Sequence, residues 1–212
     1  MTISKTFLTG ITGALLFVLT TVIAGIQYPG YDYSSQFISE LYAVGAPDAD
    51  FIRHFLYIPS GFLLFLFSVF SLKETDKSAL STLGFLGVGV GYGLGTVICG
   101  FFNCDAGCNP DFVNPSVSQL IHNLTGFFTY LMVPPSIALV AIASRKWKNA
   151  ASFSNSGFIL AALSFCFFIL LNADLQSPYK GVIQRIIEGS ILLWIILCSL
   201  HVLKNKRNAP TQ

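Results

Sequence analysis

Six stretches of the chain, at about 6–27, 51–72, 80–102, 118–143, 153–172 and 181–203, are almost continuously apolar and near 20 residues long. A hydrocarbon core of about 30 Å is crossed by about 20 helical residues rising 1.5 Å each. Lipid offers the backbone no hydrogen bonds, so such runs close their own, as helices. None shows the alternating polarity of a membrane strand. Only 10% of the 212 residues are charged, against about 25% in a soluble domain. The expected fold is therefore all-α: a polytopic bundle of six transmembrane helices, one integral membrane domain over 1–212. No cleavage pattern follows the first run, so it counts as a span. The net charge of +2 is too small to point to nucleic acid. The expected partner is membrane lipid.

Charge at the span ends sets an expected orientation. Lys5, Lys73, Lys77, Arg145, Lys146, Lys148, Lys204, Lys206 and Arg207 all fall at one end. That is nine of the 12 basic residues; Arg53, Lys180 and Arg185 lie at or near the other end. An excess of Lys and Arg marks the cytoplasmic side. Both termini are then cytoplasmic, in a multi-pass protein of the cell inner (plasma) membrane.

Local signals refine the bundle. In the connection 28–50, Phe37, Ile38, Leu41 and Tyr42 fall at helical spacing before Gly45 and Pro47. They predict a short helix in the outer interface or folded over the bundle mouth. In the third span Gly87, Gly91 and Gly95 repeat every four residues, as do Gly89 and Gly93. Small residues at that spacing let helices approach closely. Two such stripes predict a central helix contacted on two sides. Pro59 and Pro134-Pro135 remove backbone donors and predict kinks.

Reactive side chains gather at the outer end. The loop and helix start FNCDAGCNPDFVNPSVSQLIHN, 102–123, holds Cys104, Asp105, Cys108, Asp111 and His122. Arg53 and His54 open the second span; Gln184, Arg185 and Glu188 fall in the first turns of the sixth. Even-numbered spans all start at this end, so these groups share a depth. Ionisable groups in a membrane are costly and face a cavity or a partner. Arg185 and Glu188, three apart, can pair along one helix face. Structural pinning of helices is the competing reading, and for Arg53 the better one. Asp105 beside His122 would raise the imidazole pKa. Asp105, His122 and Arg185 are expected to converge on one pocket, with Ser39 and Glu40 as its cover.

Cys99, Cys166 and Cys198 lie in apolar runs and read as buried thiols. Cys104 and Cys108 would face an oxidising compartment, where thiols pair; a disulfide between them is the preferred reading. Its rival is a zinc site of both cysteines, His122 and a carboxylate. No other metal or cofactor motif is present.

The stretches YPGYDYSSQFISELYAVGAP, FFNCDAGC, IHNLTG and VIQRIIEG resemble the domain-of-unknown-function family nine-nine-eight, small prokaryotic membrane proteins with about six spans. The resemblance covers nearly the whole chain and implies the six-helix architecture. It marks Ser39, Glu40, Asp105, His122, Gln184 and Arg185 as motif positions and implies no activity. Three functions compete. One is a hydrolase or transferase acting on a lipid: His122 as base, Asp105 as its orienter or a metal ligand, Arg185 as a phosphate or oxyanion clamp. Ser39, Glu40, His54, Gln184 and Glu188 would line its substrate site. The second is a lipid-binding, sensing or transport protein using the same pocket. The third is a structural membrane partner. Topology is testable first. Reporter fusions after Lys77, Lys148 and Arg207 should report inside, and fusions within 28–50 and 103–116 outside. A cytoplasmic 103–116 loop would overturn the orientation.

Overall fold

The computed structural model describes residues 4–207. Among them six helices are long and apolar enough to cross a membrane: α1 (Lys5–Gln27), α2 (Ala49–Glu74), α3 (Ala79–Phe101), α4 (Val117–Ser144), α5 (Ala151–Ala173) and α6 (Lys180–Arg207). The helices coincide with the six apolar runs to within a few residues. The ends of the expected 1–212 domain, and the Arg207 side chain counted in the charge pattern, lie outside the described residues. Consecutive helices are neighbours, and α6 returns to α1, closing a ring of six antiparallel helices. One end of the ring carries the 28–48 and 102–116 connections, with Arg53, Lys180 and Arg185; the other carries the rest of the basic residues among those described.

Two glycine faces hold α3 in the ring. A side chain at Gly84 or Gly87 would strike Ser136 of α4, one at Gly91 would strike Val133, and one at Gly95 would strike Thr129. On the other side, Gly89 and Gly93 sit against Ser68 and Phe65 of α2. Membrane helices gain little from apolar contact alone, so close backbone approach and dispersion carry this packing.

Both α2 and α3 contain a widened π turn, Ile52–Tyr57 and Gly89–Leu94. Their signature is a bond five residues back: Ile58 N–H donates to Arg53 O, and Gly95 N–H to Val90 O. The first turn precedes Pro59, whose ring has no N–H and crowds the carbonyl four residues before it. Each turn carries an inward tyrosine, Tyr57 and Tyr92, both buried. Such turns often re-aim side chains at functional sites. In contrast, α4 runs on through Pro134-Pro135 as one helix.

The interior has two storeys. Toward the basic end, Phe67, Phe85, Phe153 and Trp194 pack ring against ring. There Glu74 of α2 accepts from the Ser4 hydroxyl, the Lys5 and Thr6 N–H groups and the Lys206 ammonium, tying α1 and α6 to α2. Toward the other end the interior is tyrosine-rich. Gly93→Ala puts a methyl against the Phe65 backbone and should cost about 1–3 kcal/mol. Gly189→Ala, which meets nothing within 4 Å, should not destabilise. Thermal unfolding in detergent checks both, and equal melting temperatures for the two variants would contradict this packing.

Candidate functional site

The 28–48 connection folds into the bundle mouth instead of lying along the interface. Ile38–Tyr42 forms a 3-10 helix with Ile38, Leu41 and Tyr42 buried. Buried Glu40 caps it, taking the Phe37 N–H (2.8 Å) and the Gln36 amide (2.9 Å). Arg185 on α6 gathers the rest. One guanidinium nitrogen donates to the carbonyls of Tyr33 (2.8 Å), Gln36 (3.0 Å) and Gly181 (2.9 Å); the other donates to the Tyr31 hydroxyl (2.5 Å). Its plane also lies over the Tyr31 and Tyr33 rings. Burial pushes the Tyr31 hydroxyl up to about 12, with Arg185 opposing that shift. Ser34 O accepts the Gly181 and Val182 N–H groups, which open α6. A side chain at Gly181 would collide with the Tyr33, Ser34 and Gln36 carbonyls, so this seam needs glycine.

The second connection is closed by a Cys104–Cys108 disulfide, with Cα atoms 4.8 Å apart. Its sulfurs rest on Ser39: Cys108 Sγ lies 3.2 Å from the Ser39 hydroxyl and Cys104 Sγ 3.6 Å from the Ser39 carbonyl. A disulfide sulfur has no proton, so only the Ser39 hydroxyl can donate here. Asp105 accepts the Ser116 N–H (3.0 Å) at the start of α4. The Ser116 hydroxyl and N–H hold its carboxyl below the ordinary carboxylate range. Gln119 takes the Asp105 N–H (2.7 Å), and Ser118 donates to Asn103 O (2.7 Å). His122 Nδ1 lies 2.9 Å from Phe102 O, at the end of α3. A carbonyl only accepts, so Nδ1 carries the proton and Nε2 of the neutral ring is an acceptor.

Beneath these covers lies Glu188, 8% exposed, two turns into α6. Tyr92 of α3 donates to one carboxyl oxygen (2.5 Å) and Tyr130 of α4 to the other (2.6 Å). Gln184 donates to the Tyr130 hydroxyl (3.1 Å) and accepts the Ile38 N–H (2.7 Å). A small cavity of about 60 Å³ touches Glu188, these two tyrosines, Tyr42, Tyr57 and His122. A larger one of about 540 Å³ lies between α4 and α5, under Phe37 and the disulfide loop. Most of its wall is apolar, including Leu120, Leu124, Phe127, Phe168, Leu171 and Leu175. Four of these, Leu120, Leu124, Phe127 and Leu175, are exposed on the outer flank, so this cavity opens sideways. Ser39, His122, Gly126, Tyr130 and Gln184 line both cavities.

A family model described as "Protein of unknown function (DUF998)" matches residues 11–201, which contain both covers and both cavities. The chain belongs to the DUF998 family. No curated protein and no solved structure matches it.

In this DUF998 chain the residues expected to converge divide into two sets. Ser39, His122, Gln184 and Glu188 share the small cavity. Asp105 and Arg185 line neither cavity; they are engaged in capping α4 and holding the 31–36 backbone. The expected Arg185–Glu188 pair does not form: backbone carbonyls take the guanidinium and tyrosines take the carboxyl. Asp105 pairs with neither His122 nor Arg185. Among the described residues the ion pairs are Arg53–Asp50 and Lys206–Glu74. Glu40 is a cap. His54 is exposed and bonds its own helix at Asp50 O. Among the described residues no three His, Cys, Asp or Glu side chains group to hold a metal. Sequence reading missed Tyr92 and Tyr130. The available signal was their place in mid-span, away from the interfaces that membrane tyrosines favour.

The geometry makes Arg185 a strut whose fork matters more than its charge. Arg185→Lys keeps the charge but cannot span three carbonyls and a hydroxyl. It should cost roughly 1–3 kcal/mol and speed proteolytic cleavage within 28–37. Unchanged cleavage, followed by mass spectrometry, would contradict that role.

Proposed function

We propose that this protein binds an amphipathic, lipid-like molecule, its tail in the larger cavity and its polar end at Ser39, His122 and Gln184. The observation that carries this reading is the junction of the two cavities. An apolar chamber of about 540 Å³ falls within the about 300–1,000 Å³ of small-molecule sites. It ends on the polar groups that also line the small chamber. The charge pattern supports placing this end on the extracytoplasmic side of the plasma membrane.

A binding role fits better than hydrolysis. Two of the three groups expected to do chemistry, Asp105 and Arg185, are committed to backbone contacts, leaving His122 as a base without an orienting carboxylate. Moving a tail from bilayer to an apolar cavity exchanges one apolar surrounding for another. Selectivity must therefore come from the polar end.

Gly126 offers a clean test. It lines both cavities, and a side chain added there meets nothing within 4 Å. Gly126→Leu should fill the junction with little change in melting temperature and lower lipid occupancy about ten-fold or more. Native mass spectrometry of detergent-purified protein reads the occupancy. Equal lipid adducts on wild type and variant would overturn the proposal. A cleaved lipid recovered from the wild type would put a reaction at His122 in place of simple binding.

A further inference from the structure

The small chamber around Glu188 has a chemical character of its own. Among the described residues Glu188 brings the only carboxyl to its wall, and no Lys or Arg lines either chamber. The nearest cation in sequence, Arg185, has its guanidinium bound by the 31–36 backbone. Both carboxyl oxygens of Glu188 accept tyrosine hydroxyls, one from α3 and one from α4. A carboxyl buried this deeply keeps a proton or takes a counter-charge, because an unpaired charge in an apolar medium is costly. Four tyrosines, Tyr42, Tyr57, Tyr92 and Tyr130, make up much of the remaining wall. Aromatic faces carry negative quadrupole potential and attract cations. An anion would meet a carboxyl and ring faces, and among the described residues the wall offers it the His122 imidazole but no Lys or Arg.

We infer that this chamber seats an amine: the bound amphiphile carries a small ammonium group that pairs with Glu188 inside the tyrosine box. The inference rests on the amphiphile site proposed above and adds the chemical class of the polar end. Size favours a primary amine, since a chamber of about 60 Å³ has room for a group of only a few heavy atoms. An ammonium brings three donors. Glu188 supplies the charge, and the Ser39, Tyr42 and Tyr57 hydroxyls on the same wall supply further acceptors. The shared lining residues let one molecule occupy both chambers, amine inward and tail outward.

The test compares dodecylamine, dodecanol and dodecyl phosphate on the intact protein in a non-ionic detergent, by calorimetric titration at neutral pH. Dodecanol reports the tail chamber alone. The difference between amine and alcohol reports Glu188. Wild type should bind the amine about ten-fold or more tighter than the alcohol, and the phosphate no better than the alcohol. Glu188→Gln should lose the amine preference while binding the alcohol as wild type does. Tyr57→Leu, which leaves the carboxyl in place, should lower the preference several-fold. The wild-type comparison stands alone if either variant fails to fold. Equal binding of amine and alcohol would mean that Glu188 holds a proton and needs no counter-ion, and would overturn this inference while sparing the tail site. A retained preference in folded Glu188→Gln, or tighter binding of the phosphate, would overturn it as well. No binding of amine or alcohol would overturn both proposals.

Discussion

The hydrocarbon core gives Glu188 no water, and this shapes the upper half of the bundle. Its two oxygens must find donors inside the protein. They do so on two other helices, Tyr92 on α3 and Tyr130 on α4. That requirement fixes the rotation of three helices about one point. It also explains the π turn in α3, which brings Tyr92 inward without breaking the glycine contacts to α2 and α4. A polar group that would be destabilising alone thus becomes the registration point of the ring.

The same constraint operates at the mouth, on backbone groups. The 28–37 segment folds on its own turn bonds, with Asp32 accepting from Ser34 and Ser35 and Tyr31 donating to the Phe37 carbonyl, and Arg185 supplies donors to the Tyr33 and Gln36 carbonyls. The N-terminal N–H groups of α6 are satisfied in return by Ser34 O. The disulfide loop is treated alike: Asp105, Gln119, Ser118 and His122 each bond across the α3–α4 connection. The two covers meet at Ser39, which touches the disulfide and both cavities. Asp105, Glu40 and Arg185 belong to this roof through their backbone hydrogen bonds, while Ser39, His122, Gln184 and Glu188 face the chambers beneath it.

The fold was legible because its signals are local. Apolar runs fix the spans, and glycines four apart fix the two contact faces of α3; neither needs a distant residue to be known. The site was only half legible. Glu188 was visible as a charge within a span, but its partner was assigned by helix spacing to Arg185. Spacing along one helix cannot reveal that backbone carbonyls far off in sequence outbid a carboxyl three residues away. Asp105 was misread for the same reason, since its partner is the Ser116 N–H across a loop. The tyrosines were passed over because an aromatic side chain in a greasy span looks like packing until its hydroxyl is traced to an acceptor.

The mouth of the larger cavity opens on the flank of α4 and α5. A ligand of the proposed kind would enter from the surrounding leaflet and never cross an aqueous phase. Its search is then two-dimensional, and the quantity that sets occupancy is its mole fraction among the neighbouring lipids. On the proposed reading the protein would respond to the composition of its own membrane. Dilution in water leaves that ratio untouched, while a change in lipid make-up alters it directly.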